Sequence, residues 1–164
     1  MQVQLARLDL IVVGAPGATY AAACADYERR LSRYVRSEVH EVKGEPLQRG
    51  DAAVLAAEGE RITKVLDRLV PPGRGMGATA ATIAICDPRG EQLTSEQLTE
   101  RLLSASHLVL IIGGACGIAP DVDARARTSI SFGRITMPHQ LARVVATEQL
   151  YRAFRIARNE PYHH

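Results

Sequence analysis

Short apolar runs alternate along this chain with longer stretches whose apolar positions recur every three or four residues. Residues 8–13, Leu-Asp-Leu-Ile-Val-Val, make the first run, and Gly14-Ala-Pro-Gly17 stops it. That combination predicts a buried strand and a turn. In residues 20–36, Tyr20, Cys24, Tyr27, Leu31 and Tyr34 are spaced for one helix face. Residues 37–42 predict a second strand, 43–51 a polar loop, and 52–69 a second helix closed by Pro71-Pro72-Gly73. Thr82-Ile-Ala-Ile-Cys86 predicts a third strand, with Asp87-Pro-Arg-Gly90 as the turn after it. A helix running to about Ser104 follows, capped by Thr94 or Ser95, of which Thr94, with Gln97 three positions on, fits better. Leu108-Val-Leu-Ile-Ile112 is apolar throughout, which predicts a central strand covered on both faces. Gly113-Gly-Ala-Cys-Gly117 breaks it, Asp121 is expected to cap a short helix, residues 130–135 predict a fifth strand, and 139–158 a final helix.

Strand and helix alternate throughout, so the expected fold class is α/β, with a mostly parallel sheet and helices on both faces, in one domain over residues 1–164. The final helix carries two apolar stripes, Leu141, Val145 and Ile156 on one side and Leu150, Ala153 and Phe154 on another. A helix apolar on two sides is buried on two sides, and the second cover expected here is another copy of the chain, a homodimer.

Composition adds little until it is divided. The chain has 164 residues, no Trp and two Phe, so its core is aliphatic. The formal net charge is +2, too small to argue for nucleic acid by itself. Residues 125–164, however, hold seven Arg against two Glu, a local +5 that leaves the remainder near −3. This basic region suits an anionic partner, although Lys occurs only at 43 and 64, so the arginines also read as plain substitutes for lysine. No secretory signal and no membrane-length apolar stretch is visible, and three scattered cysteines without a Cys-x-x-Cys fit a reducing, cytoplasmic setting.

Candidate chemistry is sparse. The glycine turn at 113–117 lacks the Lys-Ser/Thr ending of a phosphate loop and the spacing of a dinucleotide fingerprint. It reads either as a tight turn or as backbone open to a ligand. His40, His107 and His139 stand apart without a His-x-x-x-His pair or a carboxylate cluster, so no metal site is expected. Cys86 and Cys116 are only nominal nucleophiles. Glu148 and Arg152, at i and i+4, read as a helix-surface ion pair.

A resemblance gathers these pieces. The strings Leu110-Ile-Ile-Gly-Gly-Ala-Cys-Gly-Ile118, Ile130-Ser-Phe132, Met137-Pro-His-Gln140, Arg143-Val144, Glu148-Gln149, Leu150-Tyr-Arg-Ala153 and Tyr162-His163 resemble the RlmH family, as do Leu8 to Gly14, Tyr27-Glu-Arg-Arg-Leu31, Glu58-Gly-Glu60 and Asp87-Pro-Arg-Gly90. These are ribosomal large-subunit pseudouridine methyltransferases of the SPOUT class, and the ordered set covers nearly the whole chain. The resemblance implies a SPOUT-type fold with a deep trefoil knot over about 106–164, a homodimer, and S-adenosyl-L-methionine as methyl donor. The cofactor-binding positions it implies are Cys86, Gly113, Phe132, Gly133, Arg134, Ile135, Thr136 and Met137. Cys86 stands where the family more often has leucine. The implied reaction moves a methyl group to N3 of a pseudouridine in 23S ribosomal RNA within the assembled ribosome, with His139, Arg143, Arg152, Tyr162 and His163 at the catalytic end. His139 or His163 would take the N3 proton, and Arg143 or Arg152 would hold a phosphate or the developing negative charge. No metal and no membrane enters. A non-catalytic ribosome-binding module that keeps the fold is the other reading.

Overall fold

The computed structural model describes residues 3–73 and 81–162. Five strands form one parallel sheet: β1 (Arg7–Val13), β2 (Arg36–Val42), β3 (Thr82–Gln92), β4 (His107–Ile112) and β5 (Thr128–Ser131), in the order β2-β1-β4-β3-β5. Between them run α1 (Gly17–Leu31), α2 (Asp51–Leu69), α3 (Ser95–Leu103) and the single turn α4 (Pro120–Asp123), and α5 (His139–Ala157) follows β5. The sheet is the expected α/β architecture, and β4, apolar from Leu108 to Ile112, is its central strand.

Side-chain alternation divides the core. Leu8, Leu10 and Val12 of β1 join Leu108, Leu110 and Ile112 of β4 on one face, under Leu31 of α1, Leu102 of α3, and Leu150 and Phe154 of α5. Ile11 and Val13, with Val109 and Ile111, face the other way, onto Ile62 and Leu66 of α2 and Val122 of α4. Period-2 alternation on buried strands places a helical layer on each side.

Three expectations shift. β3 runs on through Asp87-Pro-Arg-Gly90, because a register shift between Cys86 and Glu91 lets it keep pairing with β5 past a bulge. β5 stops at Ser131, short of Ile135, so residues 132–138 are free to turn toward β4. Asp121 lies in the first turn of α4 behind Ala119, which occupies the cap position without a side-chain bond. The α3 cap does form. Thr94 Oγ1 accepts from Gln97 N–H at 3.2 Å, and the Gln97 side chain accepts from Thr94 N–H at 2.9 Å.

The stripes of α5 part as their pattern implies. Leu150, Ala153 and Phe154 are buried, whereas Leu141, Val145 and Ile156 stay half-buried on the single chain. No helix among the described residues is long and apolar enough to cross a membrane.

Candidate functional site

At the bulge of β3 and the carboxyl end of β4, the two strands, the glycine turn and the β5–α5 connection enclose a cavity of about 440 Å³. Clefts of this size at strand carboxyl ends are where open α/β sheets bind small molecules. Ile112, Ile130 and Phe132 supply apolar wall, and Gly113, Gly114, Ala115, Gly117 and Gly133 line the rest with little side chain. Ile135 stands at the rim, 74% exposed.

The glycines set the shape of one wall. A Cβ on Gly113 would lie 2.5 Å from the Gly117 carbonyl oxygen, so only glycine lets the turn fold back onto itself. A Cβ on Gly114 would lie 2.5 Å from Glu58 Oε2. Glu58 is buried; its Oε1 accepts from Glu45 N–H at 3.0 Å, and its Oε2 has no hydrogen-bond partner among the described residues. A buried carboxylate oxygen left unpaired beneath a ligand-facing turn is costly to keep. Sequence reading missed it as a functional residue, since one glutamate on a helix carries no distinguishing pattern.

The opposite wall is pinned by Ser131. Its hydroxyl accepts from Gly133 N–H at 3.1 Å and lies within donating reach of the Gly133 and Pro88 carbonyls, at 2.8 and 3.1 Å. The bulged tip of β3 is thereby tied to the connection that closes the cavity. Gly133, at φ 129°, makes that bend.

Of the positions named for the cofactor, Cys86, Gly113, Phe132, Gly133, Ile135, Thr136 and Met137 line this one cavity. Arg134 is exposed and is not part of the lining. Burial pushes the Cys86 thiol up to about 12, so it is a neutral wall group rather than a nucleophile. Burial raises the Cys116 thiol too, with Asp51 adding to it.

The positions named for catalysis separate. His139 is the first residue of α5 and faces the cavity. Desolvation lowers its pKa, partly offset by the Glu58 charge, which favours a neutral ring. Arg143, one turn on, is 5% exposed. Its guanidinium donates to Glu28 at 2.8 Å and to Glu41 at 2.8 Å, tying α5 to α1 and β2. Burial opposes its charge, but those two carboxylates hold its pKa above the ordinary value. Arg152 donates to Glu148 at 2.7 Å and lies 4.9 Å over the Tyr162 ring, whose hydroxyl donates to Glu148 at 3.2 Å. Burial, with Tyr27 and Glu148, raises the Tyr162 pKa. Thirteen helical positions separate Arg152 from His139, roughly 20 Å along the axis. The expected set is thus two clusters within one chain. His163 lies outside the described residues.

A family model described as "Predicted SPOUT methyltransferase" matches residues 6–163. The chain belongs to the SPOUT methyltransferase family. It is therefore an enzyme that transfers methyl groups. Among curated SPOUT methyltransferase relatives, it is 41% identical to the ribosomal RNA large subunit methyltransferase H of Bifidobacterium animalis subsp. lactis, over 96% of this chain and 99% of that one. Proteins of the same name from Anaeromyxobacter dehalogenans and Rubrobacter xylanophilus are 38% and 39% identical, over 96% of this chain and 99% and 98% of theirs. These matches favour a SPOUT methyltransferase over a non-catalytic module.

Proposed function

We propose that this chain is an S-adenosyl-L-methionine-dependent methyltransferase acting on N3 of a pseudouridine in 23S ribosomal RNA, on the assembled ribosome. The observation that carries the reading is the cavity that gathers Cys86, Gly113, Phe132, Gly133, Ile135, Thr136 and Met137, with His139 at its edge. The wall chemistry fits the donor. Apolar side chains suit the faces of an adenine, and the glycine turn at Gly113 and Gly114 lets backbone approach its edge and ribose. The donor supplies an activated methyl group on a sulfonium.

The chain's own residues align the partners and move one proton. His139, desolvated and neutral, is positioned to accept the N3 proton at an imidazole nitrogen. Arg143 positions His139 by anchoring the first turn of α5 to Glu28 and Glu41. Arg152 and Tyr162, far from the cavity of their own chain, belong with the cavity of a second copy. The half-buried stripe Leu141, Val145 and Ile156 on α5 supports a homodimer that brings them there. The trefoil knot proposed for about 106–164 is the means by which the 132–138 connection is held against the glycine turn. Arginines of the 125–164 region meet RNA phosphates, so binding is salt-sensitive and a ribosomal substrate places the enzyme in the cytoplasm.

The test is mass spectrometry of 23S ribosomal RNA from cells with and without this gene. Loss of one methyl group from a pseudouridine on deletion, restored by the purified enzyme with the donor, is the expected outcome. An unchanged methylation map would overturn the reading.

A further inference from the structure

A second polar cluster lies at the other end of the sheet, at the amino ends of β1 and β4. Asp9 is fully buried. His40 Nε2 sits 2.7 Å from its Oδ1, and His107 Nε2 2.7 Å from its Oδ2. Arg7 Nε donates to Oδ2 at 2.7 Å and Arg7 Nη2 to Oδ1 at 3.3 Å. The histidines that stand isolated in the sequence therefore meet on one carboxylate. Glu38 completes the group: one ligand atom each from Asp9, Glu38 and His40 lies within 4.8 Å of the others.

Strand register explains the convergence. Asp9 pairs with Glu38 and Ile11 with His40, so all three side chains leave the same face of two neighbouring strands. Arg7 pairs with His107 on β4, which brings the second histidine to the same face from the other side.

We propose that Asp9, Glu38 and His40 form a binding site for a zinc-like divalent cation. One imidazole and two carboxylates on a compact triangle give three protein ligands and leave a fourth position for water. A nitrogen ligand among oxygens favours zinc over magnesium or calcium, which take oxygen cages. His107 is the positioning residue: it holds Oδ2 of Asp9, as hydrogen-bonded partners of metal-ligating carboxylates do. Arg7 is the built-in competitor: its charge pairs with Asp9, and its side chain is 40% exposed, so solvent is open to it. The site clips edge strand β2 to β1, far from the methyl-transfer cavity, and does not depend on the proposed substrate.

The test uses the full chain carrying His163→Ala and His164→Ala, which removes the terminal imidazoles, and titrates it with zinc by calorimetry and with cobalt(II) by visible absorption. One equivalent is expected to bind, with cobalt bands of a nitrogen–oxygen site. Glu38→Gln and His40→Gln, both at partly exposed edge positions, are each expected to weaken binding about tenfold or more. Arg7→Gln is expected to strengthen it. Asp9→Asn is left out because a buried change there risks the fold. No binding at submillimolar zinc, or binding unchanged by Glu38→Gln and His40→Gln, would overturn the site while leaving methyl transfer untouched.

Discussion

Replacing Arg143 with alanine separates a structural ion pair from a direct contact with RNA. The guanidinium is 6% exposed, held by Glu28 at 2.7–2.8 Å and Glu41 at 2.8 Å, and those carboxylates are 24% and 43% exposed. Removing one partner of a buried pair costs about 3–5 kcal/mol, because the other charge is left without compensation. Glu41 retains much of its water, so the lower end applies, about 3 kcal/mol. For a chain of this size that corresponds to a fall of roughly 6–12 °C in Tm. Calorimetry of Arg143→Ala, Glu28→Gln and the double variant measures it, and a coupling of about 1–3 kcal/mol between the two positions is expected. Methyl transfer by Arg143→Ala, assayed well below its Tm, should fall mainly through misplacement of His139. An unchanged Tm together with lost transfer would refute the positioning role and mark Arg143 as a contact to the reacting RNA.

The remaining predictions concern the cavity and one cap. His139 has a folded pKa below its unfolded value, so its contribution to stability is present above about 6.5 and is lost as pH falls through the folded value; an NMR titration of its ring should show a midpoint below the ordinary one, and the acid limb of the transfer rate should follow that midpoint and vanish in His139→Ala. Gly113→Ala puts a methyl 2.5 Å from the Gly117 carbonyl, so donor affinity by calorimetry should drop sharply and stability by about 1–3 kcal/mol. Glu58→Gln keeps the Glu45 contact and removes a buried, half-unpaired charge; a gain of about 1 kcal/mol in urea unfolding is expected, and a simultaneous loss of transfer would place Glu58 in the working site. Thr94→Ala breaks the cap of α3 and should cost about 1 kcal/mol by the same measurement.

What was legible in the sequence was whatever depends on local pattern. The apolar run at 108–112 identified the central strand, the 8–13 run its neighbour, and Thr94 with Gln97 the cap. The limits of β3 and β5 were not legible, because a bulge that continues pairing through Asp87-Pro-Arg-Gly90 depends on a partner strand some forty residues away. The cavity residues followed from resemblance, not from periodicity, and the structure gathers all but Arg134 around one space. Three things were illegible for the same reason. The burial of Arg143 depends on Glu28 and Glu41, the unpaired oxygen of Glu58 on the turn at Gly114, and the meeting of His40 and His107 on Asp9 on strand register. Each joins residues distant in sequence, and a single sequence carries no signal for such pairings.

The order β2-β1-β4-β3-β5 also dictates how the chain can be made. β1 pairs with β4 from Arg7 to Val12, yet Arg7 and its partner His107 lie a hundred positions apart. During synthesis β1 can zip only onto β2, and its other edge, with unpaired backbone N–H and C=O groups, stays open until β4 has left the exit tunnel. At about 5–20 residues per second that wait lasts roughly 5–20 s, ample time for an unpaired strand to find a wrong partner. The sheet centre thus closes late, from a long-range pairing that slows folding. A nascent chain stalled before His107 should be a strong client of ribosome-associated chaperones, and the full-length chain, with α5 seated over β1 and β4, should not.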